Sequence, residues 1–271
     1  MQESYQLVEL AGKIEREKGP VTLDCSSVAR FGPSGIALLA SSIAIRRANG
    51  RSTTLVPPLD PVAADFLGEV GLADFAAGKR TGVGTLEVRQ LSALDALYTQ
   101  AVTRMLLSGV PGMNEDNSYT TELCLNELLQ NVFEWSASPV GCLVLARWYH
   151  RTRSVQLAVV DRGIGIPAAL RRQQVHGLHR SSDAEVIEAA VTTPRLTSRE
   201  SRVGGVGLKT IREEVCRRKG KLTIVSLGAK VSWSGSRVSR FRAYPLRGTA
   251  VEIDFRPNAP IPDPGEYVEV F

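Results

Sequence analysis

Glu127 and Asn131 stand four residues apart in the stretch Glu-Leu-Cys-Leu-Asn-Glu-Leu-Leu-Gln-Asn, residues 122–131. On a helix, positions i and i+4 lie one above the other on the same face. Leu125, Leu128, Leu129, Val132 and Phe133 form an apolar stripe on another side. The helix thus carries a carboxylate and a carboxamide along one edge. Such a pair can hold a metal ion through the amide oxygen and poise a water or hydroxyl with the carboxylate. Alone, the spacing is commonplace, and a solvated helix edge is its more frequent source.

Two glycine-rich turns follow. Asp161-Arg-Gly163-Ile-Gly165-Ile166 closes the apolar run Ser154–Asp161, and Gly204-Gly205-Val-Gly207-Leu208 opens a helical pattern. A carboxylate that ends a buried strand is costly unless hydrogen-bonded, and a nucleobase amino group supplies such a donor. Gly163 and Gly165 let the backbone turn sharply beside a flat base. Gly205 and Gly207 sit where free N–H groups and the helix dipole attract phosphate. Thr249, in Arg247-Gly-Thr-Ala-Val-Glu-Ile, starts a returning strand from which it can reach Asp161 or a water at the base.

The elements that must position these residues follow from hydrophobic periodicity. In the first part of the chain, Tyr5–Glu9 predicts a short strand, Leu10–Lys18 a helix and Val21–Asp24 a strand. A helix from Pro33 to Asn49 comes next, with Pro33 in its first turn and Gly50 at its stop. Thr53–Val56 predicts a strand and Pro61–Val70 a helix. Alternating strands and helices indicate a sheet covered by helices. Residues 77–91 hold a Gly-rich linker and a short strand at Thr85–Arg89. Helices are predicted over Ser92–Leu107 and Tyr119–Trp135, and a hairpin over Val140–Trp148 and Ser154–Asp161. Shorter helices at Pro167–Arg172 and Ala184–Val191 precede a strong one at Val206–Arg218. Strands follow at Leu222–Leu227, Lys230–Ser234, Arg240–Pro245 and Thr249–Phe255, then a proline-bearing tail.

Composition bounds the function classes. Hydrophobic residues make up 43% and charged residues 23% of the 271, the profile of a chain with a real core. No apolar run reaches the ~18 residues of a membrane helix. The N-terminus lacks a signal peptide's basic and apolar blocks, so a cytoplasmic location is expected. Cys25, Cys124, Cys142 and Cys216 are scattered without metal-ligand spacing and are expected to be reduced and buried. The formal net charge is +5, with arginines concentrated at 171–180 and 195–202. A basic surface can meet nucleic acid, nucleotide phosphates or an acidic partner. No nucleic-acid-binding motif accompanies it.

The three motifs, Glu127-x-x-x-Asn131, Asp161-Arg-Gly163-Ile-Gly165-Ile166 and Gly204-Gly205-Val-Gly207-Leu208, resemble in order the N, G1 and G2 boxes of the GHKL, or Bergerat-fold, ATP-binding domains. The resemblance covers about residues 92–256. It implies an α/β sandwich, helices layered on a mixed, largely antiparallel sheet, with ATP between them. By the family pattern Asn131 would ligate Mg²⁺ and Glu127 would act as general base. Asp161 would bind the adenine amino group. Gly163, Gly165, Ile166, Gly205, Gly207, Leu208 and Thr249 would complete the ATP site, and residues 167–203 would be its lid. Trp135, where small kinases of the family often place His, is expected in the core. His176 and His179 fall in the lid as solvated residues.

Residues 1–80 resemble a degenerate STAS domain, the fold of anti-sigma-factor antagonists. Gly32-Pro33-Ser34-Gly35-Ile36 stands where that family has Asp-Ser-Ser-Gly-Leu, which would make Ser34 the phosphoacceptor; helix capping is the competing reading. The expected organisation is a STAS-like domain (1–80), a linker (81–91), a GHKL domain (92–256) and an extended tail (257–271). A sensor kinase, a gyrase-type machine and a chaperone each need segments that this order lacks. The resemblance implies an ATPase or Ser/Thr kinase of the anti-sigma type. Its partner would be a STAS or sigma-factor-like regulator, and a homodimer is left open. A non-enzymatic ATP-controlled switch is the alternative, and an ATP-gated nucleic-acid effector comes below it.

Overall fold

The computed structural model describes residues 2–79, 87–149, 152–175, 177–193 and 207–257, residues 2–7 by their backbone alone. The chain opens with α1 (Gln2–Arg16), β1 (Val21–Asp24), α2 (Pro33–Ala48), β2 (Thr53–Val56), α3 (Pro61–Glu69) and α4 (Leu72–Ala76). Then come β3 (Arg89–Leu91), α5 (Ala96–Gly109), α6 (Glu115–Asn131) and a π-helical turn, Val132–Ser136. The rest is β4 (Cys142–Tyr149), β5 (Ser154–Asp161), α7 (Ile166–Arg172), a 3₁₀ turn Leu178–Arg180, α8 (Asp183–Thr192), α9 (Gly207–Arg217), β6 (Lys221–Ser234) and β7 (Arg237–Phe255).

Helix starts follow local chemistry. The side chains of Asp60, Asp95 and Asn114 accept from backbone N–H groups three residues on, at the starts of α3, α5 and α6. Ser182 and Glu185 form a capping box at α8. These caps explain why α5 begins at Ala96 rather than Ser92, and why α6 begins at Glu115, ahead of the expected Tyr119.

Five strands form one antiparallel sheet in the order β3-β4-β5-β7-β6, while β1 and β2 pair in parallel. Side chains alternate between its faces. Val144, Ala146, Val155, Leu157, Val159, Val251 and Ile253 point to the front, into a core shared with α5, α6, α8 and α9. Leu143, Leu145, Ala158, Val160, Val225 and Ala250 point to the back, into a core shared with Val8, Ala11 and Ile14 of α1 and with the buried face of α2. The sheet is therefore covered on both faces, an α/β sandwich as expected.

Three expectations change. Tyr5–Glu9 is not a strand but part of α1, which runs unbroken from Gln2. Val8, Ala11 and Ile14 are buried at helical spacing, and burying that stripe outweighs the strand preference of five residues. The four terminal strands are two long ones, because register shifts at Ser226–Leu227 and Leu227–Ala229 bend β6 without ending its pairing. The short strand expected at Thr85–Arg89 is observed at Arg89–Leu91, paired with β4; residues 80–86 lie outside the described residues. The 257–271 tail, of which only Pro257 is described, and Gly204, Gly205, His150 and His176 also fall outside them. No described helix is long and apolar enough to cross a membrane.

Candidate functional site

A hollow of about 650 Å³, counting the space open to solvent at its mouth, lies between the front face of the sheet and the layer formed by α6, its π turn, α7 and α9. Strand parity decides which side chains enter it. Asp161 ends β5 in register with Thr249 of β7, and both face the front. Of the residues singled out in the sequence, Asn131, Asp161, Gly165, Ile166, Leu208 and Thr249 line the cavity. Leu128, Val132, Val159, Leu170 and Val251 make its walls apolar.

Asp161 is 4% exposed. Its Oδ1 accepts the N–H of Gly163 at 2.8 Å, and the Thr249 backbone also favours the anion. Burial pushes its pKa from 3.8 to about 6, against the opposing pull of the Gly163 N–H, Arg162 and the Thr249 backbone. At neutral pH it is an anion in an apolar hollow, an acceptor suited to a buried donor.

Asn131 supplies an unsatisfied group, because its Nδ2 is buried and has no hydrogen-bond partner. Such a donor fits an acceptor within the cavity, a phosphate or sugar oxygen. Among the described residues no three His, Cys, Asp or Glu side chains group to hold a metal ion. A magnesium ion commonly keeps several waters and takes one or two protein oxygens plus substrate phosphates. The Asn131 carboxamide oxygen fits that part only together with a phosphorylated ligand.

The glycines divide by role. A Cβ on Gly163 would lie 1.8 Å from the Ser136 carbonyl oxygen, which accepts the Ile164 N–H at 2.7 Å. Gly163 thus allows the π turn and the 161–166 loop to lock together. Gly165 has φ +81°, and a Cβ there would meet Ser226 Oγ at 2.7 Å. Gly163→Ala is expected to destabilise the chain by about 2–3 kcal/mol, since the obstacle is backbone that cannot step aside. A urea midpoint equal to wild type would show the loop to be looser than the structure has it.

Glu127 does not line the cavity. Its Oε2 accepts the N–H of Gly207, first residue of α9, at 3.1 Å. The carboxylate that sequence reading makes a base here satisfies the amide that it assigns to phosphate. Ser34 lies elsewhere, in the first turn of α2, lining a back-face cavity with Lys221, Lys230 and Glu252. It is not brought together with Asp161.

Sequence reading missed three contributors. Ser226 Oγ donates to the Gly248 carbonyl at 2.8 Å, lies 3.2 Å from Thr249 Oγ1 and accepts the Ile166 N–H at 3.1 Å. A serine in an apolar strand opposite Thr249 was its only signal. Trp135, expected in the core, is half-buried at the cavity wall, because the π turn swings it beside Asn131. Arg162, within the glycine-rich turn, is 4% exposed.

No family model matches this chain, and no curated protein is similar to it. Among solved structures, it is similar to a topoisomerase IV ATP-binding domain of Francisella tularensis in complex with a small-molecule inhibitor. That alignment has 16% identity and a TM-score of 0.31, over 63% of this chain and 42% of the other. It is also similar to a DNA gyrase B subunit from Myxococcus xanthus, with 14% identity and a TM-score of 0.29 over 52% and 39%. The matched parts are thus less than half of those chains, and likeness at this level establishes no activity.

Proposed function

We propose that the chain is an ATP-binding regulatory module of GHKL type, which hydrolyses ATP or phosphorylates a Ser/Thr hydroxyl on a partner protein. The observation that carries this is the buried Asp161 carboxylate at the end of β5, facing an apolar cavity with one oxygen already held by Gly163. An adenine amino group is a donor of the right kind for the remaining acceptor capacity. Val159, Val251 and Leu170 offer the flat apolar contact that a base needs. Asn131 faces the same cavity with a donor to spare.

Mg²⁺, held by the Asn131 carboxamide oxygen and the phosphates, would supply charge neutralisation at the transferred group. Glu127 would accept the proton of water or of the partner hydroxyl once the Gly207 N–H turns to a phosphate oxygen. Gly205 and Leu208 are assigned to the phosphate end. The N-terminal STAS-like unit is the proposed docking part for a STAS or sigma-factor-like regulator. Ser34 lies on the opposite face of the sheet from Asp161, so any phosphate reaching it comes from another molecule.

One observation favours a second reading, an ATP-controlled switch without turnover: Glu127 is engaged by Gly207 rather than directed into the cavity. Incubation with γ-labelled ATP and a partner-containing extract separates the two. Glu127→Gln is expected to bind ATP and to lose phosphate release or transfer by a factor of about 10²–10⁴. Unchanged turnover in Glu127→Gln removes the general-base role. No turnover in the wild type, with ATP still bound, supports the switch.

A further inference from the structure

The dipeptide Asp161-Arg162 straddles the sheet. Asp161 faces the front cavity, while the Arg162 guanidinium is buried on the back. There its Nη2 donates to Glu15 Oε1 of α1, an oxygen that also accepts Ser42 Oγ of α2 at 2.9 Å. The Arg162 Nε and Nη1 are buried without partners. Its backbone has little freedom: its N–H donates to Ser138 Oγ at 3.2 Å, and a Cβ on Gly248 would lie 2.8 Å from its Cα. A buried cation with two unused donors rests on one carboxylate, and the next carboxylate along the chain is Asp161.

We propose that Glu15, acting through Arg162, is a positioning residue for Asp161: it holds the guanidinium on the back face and leaves the front carboxylate open to a base amino group. The inference rests on the nucleotide reading of the cavity. Without Glu15 the guanidinium turns to the adjacent carboxylate and competes with the base for it. Helices α1 and α2, through Glu15 and Ser42, thereby set the state of a site on the other side of the sheet. A ligand or partner that moved α1 would act on the nucleotide by this route.

The test compares ATP with inosine triphosphate, which carries a carbonyl where adenine has its amino group. Equilibrium binding to the full chain is measured for wild type, Glu15→Gln, Ser42→Ala, Asp161→Asn and the double variant Glu15→Gln/Arg162→Met. Glu15→Gln is expected to weaken ATP about tenfold and to leave inosine triphosphate within about twofold, with Ser42→Ala moving the same way by less. Removing Arg162 as well restores the preference for ATP, a rescue that loss of packing would not give. Equal weakening of both nucleotides, an unchanged ratio in Glu15→Gln, or no rescue in the double variant overturns the proposal. Should Glu15→Gln fail to fold, an unchanged ratio in Ser42→Ala overturns it. A wild type without preference for ATP, or an Asp161→Asn variant that keeps it, overturns the nucleotide reading and this inference with it.

Discussion

Asp161→Asn is expected to make the ligand-free chain more stable at pH 7.5 while removing most of the affinity for ATP that the proposed function gives this site. The carboxyl titrates near 6 in the folded chain against 3.8 as its ordinary value, chiefly because burial disfavours the anion. A folded-state pKa above the unfolded one means that the folded chain binds the proton more tightly. The stabilising proton is fully present below pH ~4 and is lost as pH rises through about 6. Above that, the ionised carboxylate costs about 2–3 kcal/mol at 1.36 kcal/mol per pH unit. Asparagine has no charge to desolvate and keeps an oxygen for the Gly163 N–H. It loses the charge assistance of that bond, so a net gain of about 1–2 kcal/mol is expected, or several degrees in melting temperature. Below pH ~4.5 the gain should vanish.

Binding moves the other way. The asparagine N–H₂ meets a base amino group donor to donor in a buried site, which costs about 3 kcal/mol or two orders of magnitude in Kd. Thermal melts at pH 4.5 and 7.5, with a calorimetric ATP titration, check both halves. A variant less stable than wild type at both pH values would show that the carboxylate is needed for the fold and not for a ligand.

Arg46→Ala is expected to be the most damaging single change in the N-terminal part. Arg46 is fully buried. Its guanidinium donates to the carbonyls of Ile14, Glu17, Gly19 and Ser52 and to Thr53 Oγ1, over 2.5–3.0 Å. It thus meets the last turn of α1, where carbonyls lack helical partners and the dipole favours a cation, and ties it to the start of β2. Removing it takes the donor from the Ile14 and Gly19 carbonyls, leaves those of Glu17 and Ser52 with one long bond each, from Arg51 and Val21, and opens a cavity, a loss of about 3–5 kcal/mol. Arg46→Lys should fall between, because one ammonium cannot reach all five acceptors. Urea unfolding followed by far-ultraviolet circular dichroism measures this. A loss below about 1 kcal/mol for the alanine variant would show the network to be incidental. Because α1 also carries Glu15, a large loss should weaken ATP binding as well.

Several features of the fold were written locally. Pro33, Gly50 and the Ser182-x-x-Glu185 box mark element ends by chemistry that acts within a few residues. The β4–β5 hairpin and the parity of Asp161 follow from strict alternation, which puts every second residue on one face. The α1 stripe was misread because five residues that suit a strand also suit a helix. Only α2 and the back of the sheet, more than twenty residues away, show which face is buried. The junctions in β6 were misread because a bulge looks like a strand end when its pairing partner is not in view.

The sequence alone determined that the chain carries a buried carboxylate at a strand end, an Asn on a helix edge and glycines where backbone must come close, because each rests on spacing along one element. The tertiary structure decided what those groups meet. It brings Asn131, Asp161, Leu208 and Thr249 to one cavity and places Ser34 behind the sheet. It turns Glu127 to the start of α9 and hangs Arg162 on Glu15. Those contacts join residues 80 and 147 positions apart, and no local periodicity encodes a partner at that distance.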